Sequence, residues 1–169
     1  MLLKKYHTDL IKKNKICFIK NFVSLQRDYD FNLISLLIEE NNLMILPKSN
    51  IGNLKDIFQI CKVSNCLKEF KTFFDFLSKL FKYERDPRDE VDLFFSLASQ
   101  TGNCHIDEED VFILGLKGRV IYRMYDIENK DYEINKGDLI FIPKNIKHKV
   151  IGINPRIVAS IGFYGKRFK

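Results

Sequence analysis

The feature that most constrains the fold is a series of short apolar runs in the second half of this 169-residue chain. The runs are rich in β-branched and aromatic residues, and Gly, Asn, Asp or Pro separates most of them. They are Val91 to Ala98, Val111 to Leu116, Arg119 to Tyr125, Tyr132 to Ile134, Leu139 to Ile142, Lys149 to Ile153 and Ile157 to Phe163. Runs of this kind are typical of antiparallel strands. Seven of them in under half of the chain predict a β-sandwich or barrel.

The first half of the chain has a different pattern, which is mainly helical. Predicted helices cover Leu2 to Lys13, Phe31 to Glu40 and Leu54 to Lys82, the last divided in two near residues 63–65. Predicted short strands cover Ile16 to Phe22 and Leu43 to Leu46. We therefore expect one domain over residues 1–169, in which a helix-rich part (1–90) packs on a barrel core (91–169).

Composition indicates a soluble, cytoplasmic protein. Hydrophobic residues make up 46% of the chain and charged residues 30%, as in globular proteins. Lysines interrupt the apolar runs at the N-terminus, and no run approaches the roughly 18 apolar residues of a membrane span, so no membrane partner is expected. The four cysteines show neither a disulfide framework nor a zinc-binding spacing, which predicts reduced thiols packed as small hydrophobes.

Charge is distributed unevenly along the chain. The net charge is +6, yet residues 84–110 hold nine acids and only two arginines, so this segment carries −7 and the rest +13. One interpretation is a solvated surface of both signs. The other is an acidic rim beside a functional site, which would favour a basic substrate. The basic residues are scattered and no nucleic-acid-binding motif accompanies them, so no nucleic-acid partner is expected.

Two segments of the second half carry candidate metal ligands. The first is a His-x-Asp triplet, His105 and Asp107; the second is a Gly-Asp turn at 137–138, a strand, Pro143 and then His148. Alternate side chains of a strand share a face, so His105 and Asp107 are expected to point the same way. Two imidazoles and one carboxylate are the ligands that hold non-haem Fe(II) and leave positions open. The alternative is a strand-end hydrogen bond between His105 and Asp107, with His148 as a loop histidine.

With these motifs the chain resembles the cupin superfamily and, within it, the JmjC-type Fe(II)- and 2-oxoglutarate-dependent oxygenases. It is most similar in pattern to the ribosomal-protein hydroxylases. The resemblance covers Ser96 to Gly162, about 40% of the chain. It is carried by His105-x-Asp107, Asp110 to Leu114, Gly118-Arg119, Gly137-Asp138, Ile142-Pro143 and His148. It implies a mainly β fold with N-terminal helices, whose barrel is a double-stranded β-helix (cupin or jelly-roll barrel).

The resemblance also implies an activity. An enzyme of this kind would bind Fe(II) through His105, Asp107 and His148, which would serve as the catalytic centre. It would use 2-oxoglutarate as a small-molecule cosubstrate and release succinate and CO₂ as it hydroxylates a C–H bond. The relatives imply a protein or peptide substrate. Two alternatives remain open: a metal-binding cupin that does not use 2-oxoglutarate, and a catalytically silent cupin binding module.

One position departs from the resemblance. The relatives place Lys or Arg fifteen residues after the first histidine, where it pairs with the far carboxylate of 2-oxoglutarate; here that residue is Val120. Arg156 is a candidate replacement, since it precedes Ser160 on the same strand face and a guanidinium can bind both carboxylate oxygens. Tyr122 and Thr101 could add hydroxyl donors. The alternatives are that Arg156 is a surface cation after a turn and that Tyr122 is a core aromatic.

Overall fold

The computed structural model describes residues 3–41, 45–46, 60–64, 66–125 and 129–167. Its helices are α1 (Lys5–Lys12), α2 (Phe31–Asn41) and α3 (Lys71–Phe81). Its strands are β1 (Cys17–Ile19), β2 (Ile45–Leu46), β3 (Cys61–Val63), β4 (Glu90–Ser96), β5 (Asp110–Lys117), β6 (Val120–Met124), β7 (Asp131–Ile134), β8 (Leu139–Ile142), β9 (His148–Gly152) and β10 (Arg156–Phe163). Among these residues, no helix has the length and apolar character needed to cross a membrane.

The strands form two antiparallel sheets that face each other. The large sheet has the order β1-β8-β5-β10-β4-β3-β2, and the small sheet has the order β7-β6-β9. The first half of the chain contributes to the large sheet at both edges, because β1 pairs with β8 and β3 pairs with β4. The N-terminal part therefore extends the barrel as well as covering it with helices. The predicted mainly β fold with N-terminal helices is confirmed.

Each of the seven predicted strands corresponds to one observed strand from β4 to β10, with ends that agree within two residues. The turn residues explain this agreement. Gly118, Gly137 and Asn145 adopt φ values of 71°, 85° and 66°. This left-handed backbone is open to glycine and tolerated by asparagine, but costly for most other residues. The strand ends were therefore readable from local sequence.

Alternate side chains of the large sheet enter two apolar clusters. On β5, Phe112 and Leu114 pack with the helices, whereas Val111 and Ile113 pack with the small sheet. The buried face of α3 consists of residues spaced by about one helical turn, Phe74, Leu77 and Phe81. The ring of Phe81 stacks on Phe112 with centroids 5.4 Å apart. The result is three layers, and the cluster between the two sheets leads to the candidate site.

One predicted helix is wrong in part. Residues 61–63 form the strand β3, and α3 begins only at Lys71; residues 54–59 of the predicted helix lie outside the described part of the chain. The reason is tertiary pairing, because Lys62 lies opposite Phe94 in the large sheet and Val63 is fully buried there. A strand of three residues is too short to show a periodicity of its own beside a longer helical pattern.

All four cysteines lie in the described part of the chain, and none of them forms a disulfide there. Cys17 and Cys66 are buried, Cys61 is half-buried and Cys104 is exposed. Burial raises the pKa of the Cys17 and Cys66 thiols to about 11. These two side chains therefore stay protonated and pack as small hydrophobes.

Candidate metal centre and its cavity

Three potential metal ligands converge at one end of the space between the sheets. His105 lies in the loop after β4, where a single antiparallel bridge joins it to His148, the first residue of β9. The prediction that a strand carries both His105 and Asp107 is therefore wrong. Their side chains still meet: His105 Nε2 lies 3.6 Å from Asp107 Oδ1, and His148 Nε2 lies 3.5 Å from Asp107 Oδ2. One ligand atom from each residue falls within 4.8 Å of the others.

Backbone carbonyls orient both imidazoles. His105 Nδ1 lies 2.9 Å from the Asn103 carbonyl oxygen, and His148 Nδ1 lies 3.0 Å from the Ile146 carbonyl oxygen. Because a carbonyl can only accept a hydrogen bond, each Nδ1 carries the hydrogen and donates it. Each Nε2 then presents a free lone pair towards Asp107. This is the tautomer and orientation in which a histidine binds a metal.

The two histidines differ in exposure. The side chain of His148 is 3% exposed, whereas that of His105 is 47% exposed. Burial lowers the pKa of His148; the Ile146 carbonyl and Asp107 act in the opposite direction, and His105 adds to the lowering. His148 is therefore a neutral imidazole at neutral pH, which is the form that can coordinate a metal.

The distances fit a shared ion better than direct hydrogen bonds. Separations of 3.5 and 3.6 Å are too long for ordinary hydrogen bonds, so the alternative in which His105 and Asp107 form a strand-end hydrogen bond is not supported. Two atoms that each lie about 2.1 Å from one ion can be at most about 4.2 Å apart. Two imidazole nitrogens and a carboxylate oxygen suit a divalent transition metal, with coordination positions left open.

A cavity of about 260 Å³ extends from this centre between the sheets. Its size is close to the lower end of small-molecule sites, about 300 Å³. Apolar residues from both sheets form much of its wall, together with Ile60 just before β3; those in the sheets are Phe94, Val111, Ile113, Val150 and Val158. Polar and charged residues also face it: Lys62, Glu90, Asp92, Glu109, Tyr122, Arg156 and Ser160.

Arg156 lies in this cavity and is only 3% exposed, so the surface-cation interpretation is wrong. Its Nη1 and Nη2 donate to the carbonyl oxygens of Ala98 and Gln100 at 3.2 and 2.7 Å. Gly152 gives the guanidinium its space, because a Cβ there would collide with Nη1 and with the Gln100 carbonyl oxygen. Burial lowers the pKa of Arg156, and Tyr122 opposes that shift. Among the described residues, no carboxylate forms an ion pair with it.

The position of Tyr122 agrees with both sequence-based interpretations, a core aromatic and a hydroxyl donor. It is 4% exposed and packs in the apolar cluster between the sheets, yet it also lines the cavity. Its ring centroid lies 6.2 Å from that of His148. Burial raises the pKa of its hydroxyl, with a smaller opposing effect from Arg156, so the group stays protonated and can donate a hydrogen bond. Val120, two residues earlier, is fully buried in the same apolar cluster.

The opposite part of the cavity is acidic. Asp92 is 3% exposed; its Oδ2 forms an ion pair with Lys62, and its Oδ1 has no hydrogen-bond partner among the described residues. Burial also raises the pKa of Glu90 and of Glu109. Besides Asp107, three of the nine acids in residues 84–110 thus face the cavity. Sequence reasoning missed Lys62 because its strand was assigned to a helix.

Three other predicted residues lie elsewhere than expected. Ser160 pairs with Asp92 in the register of β10 and β4, four residues and about 13 Å along the strand from Arg156. It lies with the acids and away from the guanidinium. Thr101 is exposed, bridges Ile151 through its backbone and is not among the described residues that line the cavity. Asp110 was assigned to the acidic rim but is buried.

The chain is similar in structure to YcfD, a ribosomal oxygenase from Escherichia coli, with a TM-score of 0.74 and 18% identity over 99% of this chain and 53% of that one. YcfD in complex with cobalt and 2-oxoglutarate gives a TM-score of 0.73 at 18% identity, over 99% and 53% of the two chains. No protein-family model matches the sequence, and no curated protein matches it either. Since the similarity covers 53% of YcfD, this chain spans about half the length of that protein. The likeness confirms the predicted double-stranded β-helix fold.

Proposed function

We propose that this protein is an Fe(II)- and 2-oxoglutarate-dependent oxygenase of the JmjC type. One observation carries the proposal: the cavity that begins at His105, Asp107 and His148 also contains Arg156, which is buried and has no carboxylate partner among the described residues. An unpaired buried charge is costly. An anionic ligand that reaches from the metal to the guanidinium would remove that cost. 2-Oxoglutarate has a chelating end and a distal carboxylate, so it meets both requirements.

Each residue then has a defined task. The two Nε2 atoms and the Asp107 carboxylate would hold Fe(II). Arg156 would bind the distal carboxylate with the N–H groups that Ala98 and Gln100 leave free, since a guanidinium has five donors. Tyr122 would donate its hydroxyl hydrogen to the same carboxylate. This pair would take the place of the cation that is absent at Val120.

When bound, iron and 2-oxoglutarate would supply the chemistry that uses O₂ to hydroxylate a substrate and releases succinate and CO₂. The protein would contribute geometry and a dry environment. Phe94, Val150 and Val158 keep much of the cavity wall apolar. The complexes of YcfD with cobalt and 2-oxoglutarate and with cobalt and succinic acid support this assignment, the latter at a TM-score of 0.71 and 16% identity.

For the substrate, we infer a protein or peptide that presents a basic side chain. A ribosomal oxygenase shares the fold, which supports a macromolecular substrate. Glu90, Asp92 and Glu109 line the cavity, with Lys62 as the one cation among them. The excess of negative charge would favour an amine or guanidinium group there. The reduced thiols are consistent with action in the cytoplasm.

The test is cooperative ligand binding followed by turnover. Thermal unfolding would be measured with Mn(II), with 2-oxoglutarate and with both, because Mn(II) occupies such sites without the oxidation that Fe(II) undergoes in air. We expect the two ligands together to stabilise the fold by more than the sum of their separate effects. With Fe(II) and O₂, slow succinate formation is expected even without the substrate. Asp107→Ala is the matched control and should lose both signals.

The outcomes separate the three functions. Stabilisation by Mn(II) with no further effect of 2-oxoglutarate, and no succinate, would favour a metal-binding cupin of another activity. Failure to bind metal, even when Fe(II) is supplied anaerobically, would favour a silent binding module. Glutarate, which lacks the chelating keto group, should stabilise less than 2-oxoglutarate and so tests the contribution of the metal.

A further inference from the structure

Asp110 is a buried carboxylate outside the cavity that contacts two parts of the chain bearing the proposed ligands. It begins β5, three residues after Asp107. Its Oδ1 accepts a hydrogen bond from the backbone N–H of Lys144 at 3.0 Å, in the turn between β8 and His148. A second hydrogen bond joins the same two segments: the backbone N–H of Asn145 donates to the Asp107 carbonyl oxygen at 2.9 Å. The segment after His105 and the turn before His148 are thus joined at two points.

The carboxylate of Asp110 is itself fixed from the other side. Its Oδ2 accepts a hydrogen bond from the Tyr83 hydroxyl at 2.7 Å and lies 3.2 Å from Arg167 Nε. The ring of Tyr83 stacks on Phe163 at 4.4 Å. Arg167 also donates to the Ile11 carbonyl oxygen. Tyr83, before β4, and Arg167, after β10, therefore both hold the Asp110 side chain, and Arg167 is itself held by the end of α1. Both carboxylate oxygens of Asp110 have partners.

We infer that Asp110 is a positioning residue for the proposed metal centre: it sets the distance between Asp107 and His148 by tying their loops together. The inference rests on the proposed function, because it supposes that these residues bind a metal. Ligands must be held to within about 0.5 Å for tight binding. Partners that orient ligands without touching the metal typically change metal affinity about 10- to 100-fold. Asp110 accepts a hydrogen bond from the backbone of the turn before His148. Its effect would therefore be on the distance between Asp107 and His148.

The experiment compares metal affinity in four proteins. Asp110→Asn replaces one acceptor oxygen by an NH₂ donor, which cannot satisfy all the donors that face it. We expect its dissociation constant for Co(II) to rise about 10- to 100-fold and the visible absorption bands of bound Co(II) to shift. Tyr83→Phe removes one hydrogen bond and keeps the stacked ring, so it should fold and show a smaller rise in the same direction.

Asp138→Asn is the matched control. Asp138 is also buried and accepts backbone hydrogen bonds, from Asn21 at 2.7 Å and Asn135 at 2.9 Å, but it precedes β8 at the end away from His148. It should lower the unfolding temperature and leave Co(II) affinity within about twofold of wild type. Wild-type affinity in folded Asp110→Asn, or an equal loss in Asp138→Asn, would overturn the inference. Failure of the wild-type protein to bind Co(II) would instead overturn the proposed function on which it rests.

Discussion

The two ends of the cavity hold opposite charges that are buried to the same extent but differ in whether an ion-pair partner accompanies them. Arg156 and Asp92 are each 3% exposed. Lys62 pairs with Asp92, whereas no carboxylate among the described residues pairs with Arg156. The buried acid thus has a cation of the protein beside one of its oxygens, whereas among the described residues the buried arginine contacts carbonyl oxygens and no charged partner. The difference supports the proposal that an anionic ligand binds at Arg156. The acidic end is partly neutralised by Lys62 before any ligand binds.

The first prediction separates ligand binding from stability at the Arg156 end. Arg156→Met should weaken 2-oxoglutarate binding by about 3–5 kcal/mol, more than a hundredfold, because the distal carboxylate loses its partner. The stability of the ligand-free protein should stay the same or rise, since an unpaired buried charge is removed. Titration of the Mn(II)-loaded protein and urea unfolding measure the two effects. Arg119→Met, at an exposed arginine just before β6, should change neither. A large loss of ligand-free stability in Arg156→Met would contradict the comparison.

The second prediction concerns the acidic end, where removal of the cation should lower the stability of the ligand-free protein. Lys62→Met leaves the buried Asp92 without its ion-pair partner, so the ligand-free protein should lose about 2 kcal/mol of unfolding free energy. Urea unfolding measures this loss. Lys136→Met breaks an exposed pair with Asp28 and should cost less than about 1 kcal/mol. Equal losses of unfolding free energy in the two variants would show that the buried pair stabilises the protein no more than the exposed pair does.

The third prediction disturbs the guanidinium without removing it. Gly152→Ala places a methyl group where Arg156 Nη1 and the Gln100 carbonyl oxygen now lie, so the guanidinium must move. Affinity for 2-oxoglutarate should fall about tenfold, or about 1.4 kcal/mol, while Mn(II) affinity is retained. Gly102→Ala is a suitable control, because the nearest atom to its added Cβ would be 3.6 Å away, an ordinary contact. An unchanged affinity in Gly152→Ala would argue against a carboxylate at Arg156.

The smallest predicted effect concerns Tyr122. Tyr122→Phe removes one donor and keeps the ring in the apolar cluster, so 2-oxoglutarate affinity should fall by about 0.5–1.5 kcal/mol. Isothermal titration of the Mn(II)-loaded protein detects a change of this size. Tyr125→Phe, at an exposed tyrosine just beyond the same strand, is the control. A loss as large as that of Arg156→Met would make Tyr122 the principal anchor and reverse the proposed order of the two residues.

Local sequence was sufficient for the strands of the barrel and for the three proposed ligands. Strands β4 to β10 follow from alternation and from turn residues such as Gly118 and Gly137, which adopt the left-handed backbone that glycine permits. The convergence of His105, Asp107 and His148 also agrees with the sequence-based expectation, although His105 lies in a loop. The strand ends depend on residues that are close in sequence, where backbone preferences act directly. The grouping of His105 and Asp107 with the distant His148 was expected from the ligand motifs and from the family resemblance.

Pairings between distant segments could not be read in this way. The strand at 61–63 exists because it pairs with β4, and this pairing brings Lys62 to Asp92. Asp110 appeared to belong to an acidic surface, yet it is buried. Its carboxylate contacts Tyr83, which precedes β5 in the chain, and Arg167, which follows β5.

The sequence by itself determined where strands β4 to β10 and their turns lie and which three side chains are candidates for the metal. Only the tertiary structure decided which of the described charges are buried and which of these have a partner of opposite charge. The physical reason is that burial and charge pairing are properties of the space around a side chain, and that space is formed by segments far apart in the chain. Arg156 illustrates this: its strand position was predicted, but its burial against Gly152 and the carbonyls of Ala98 and Gln100 required the folded protein.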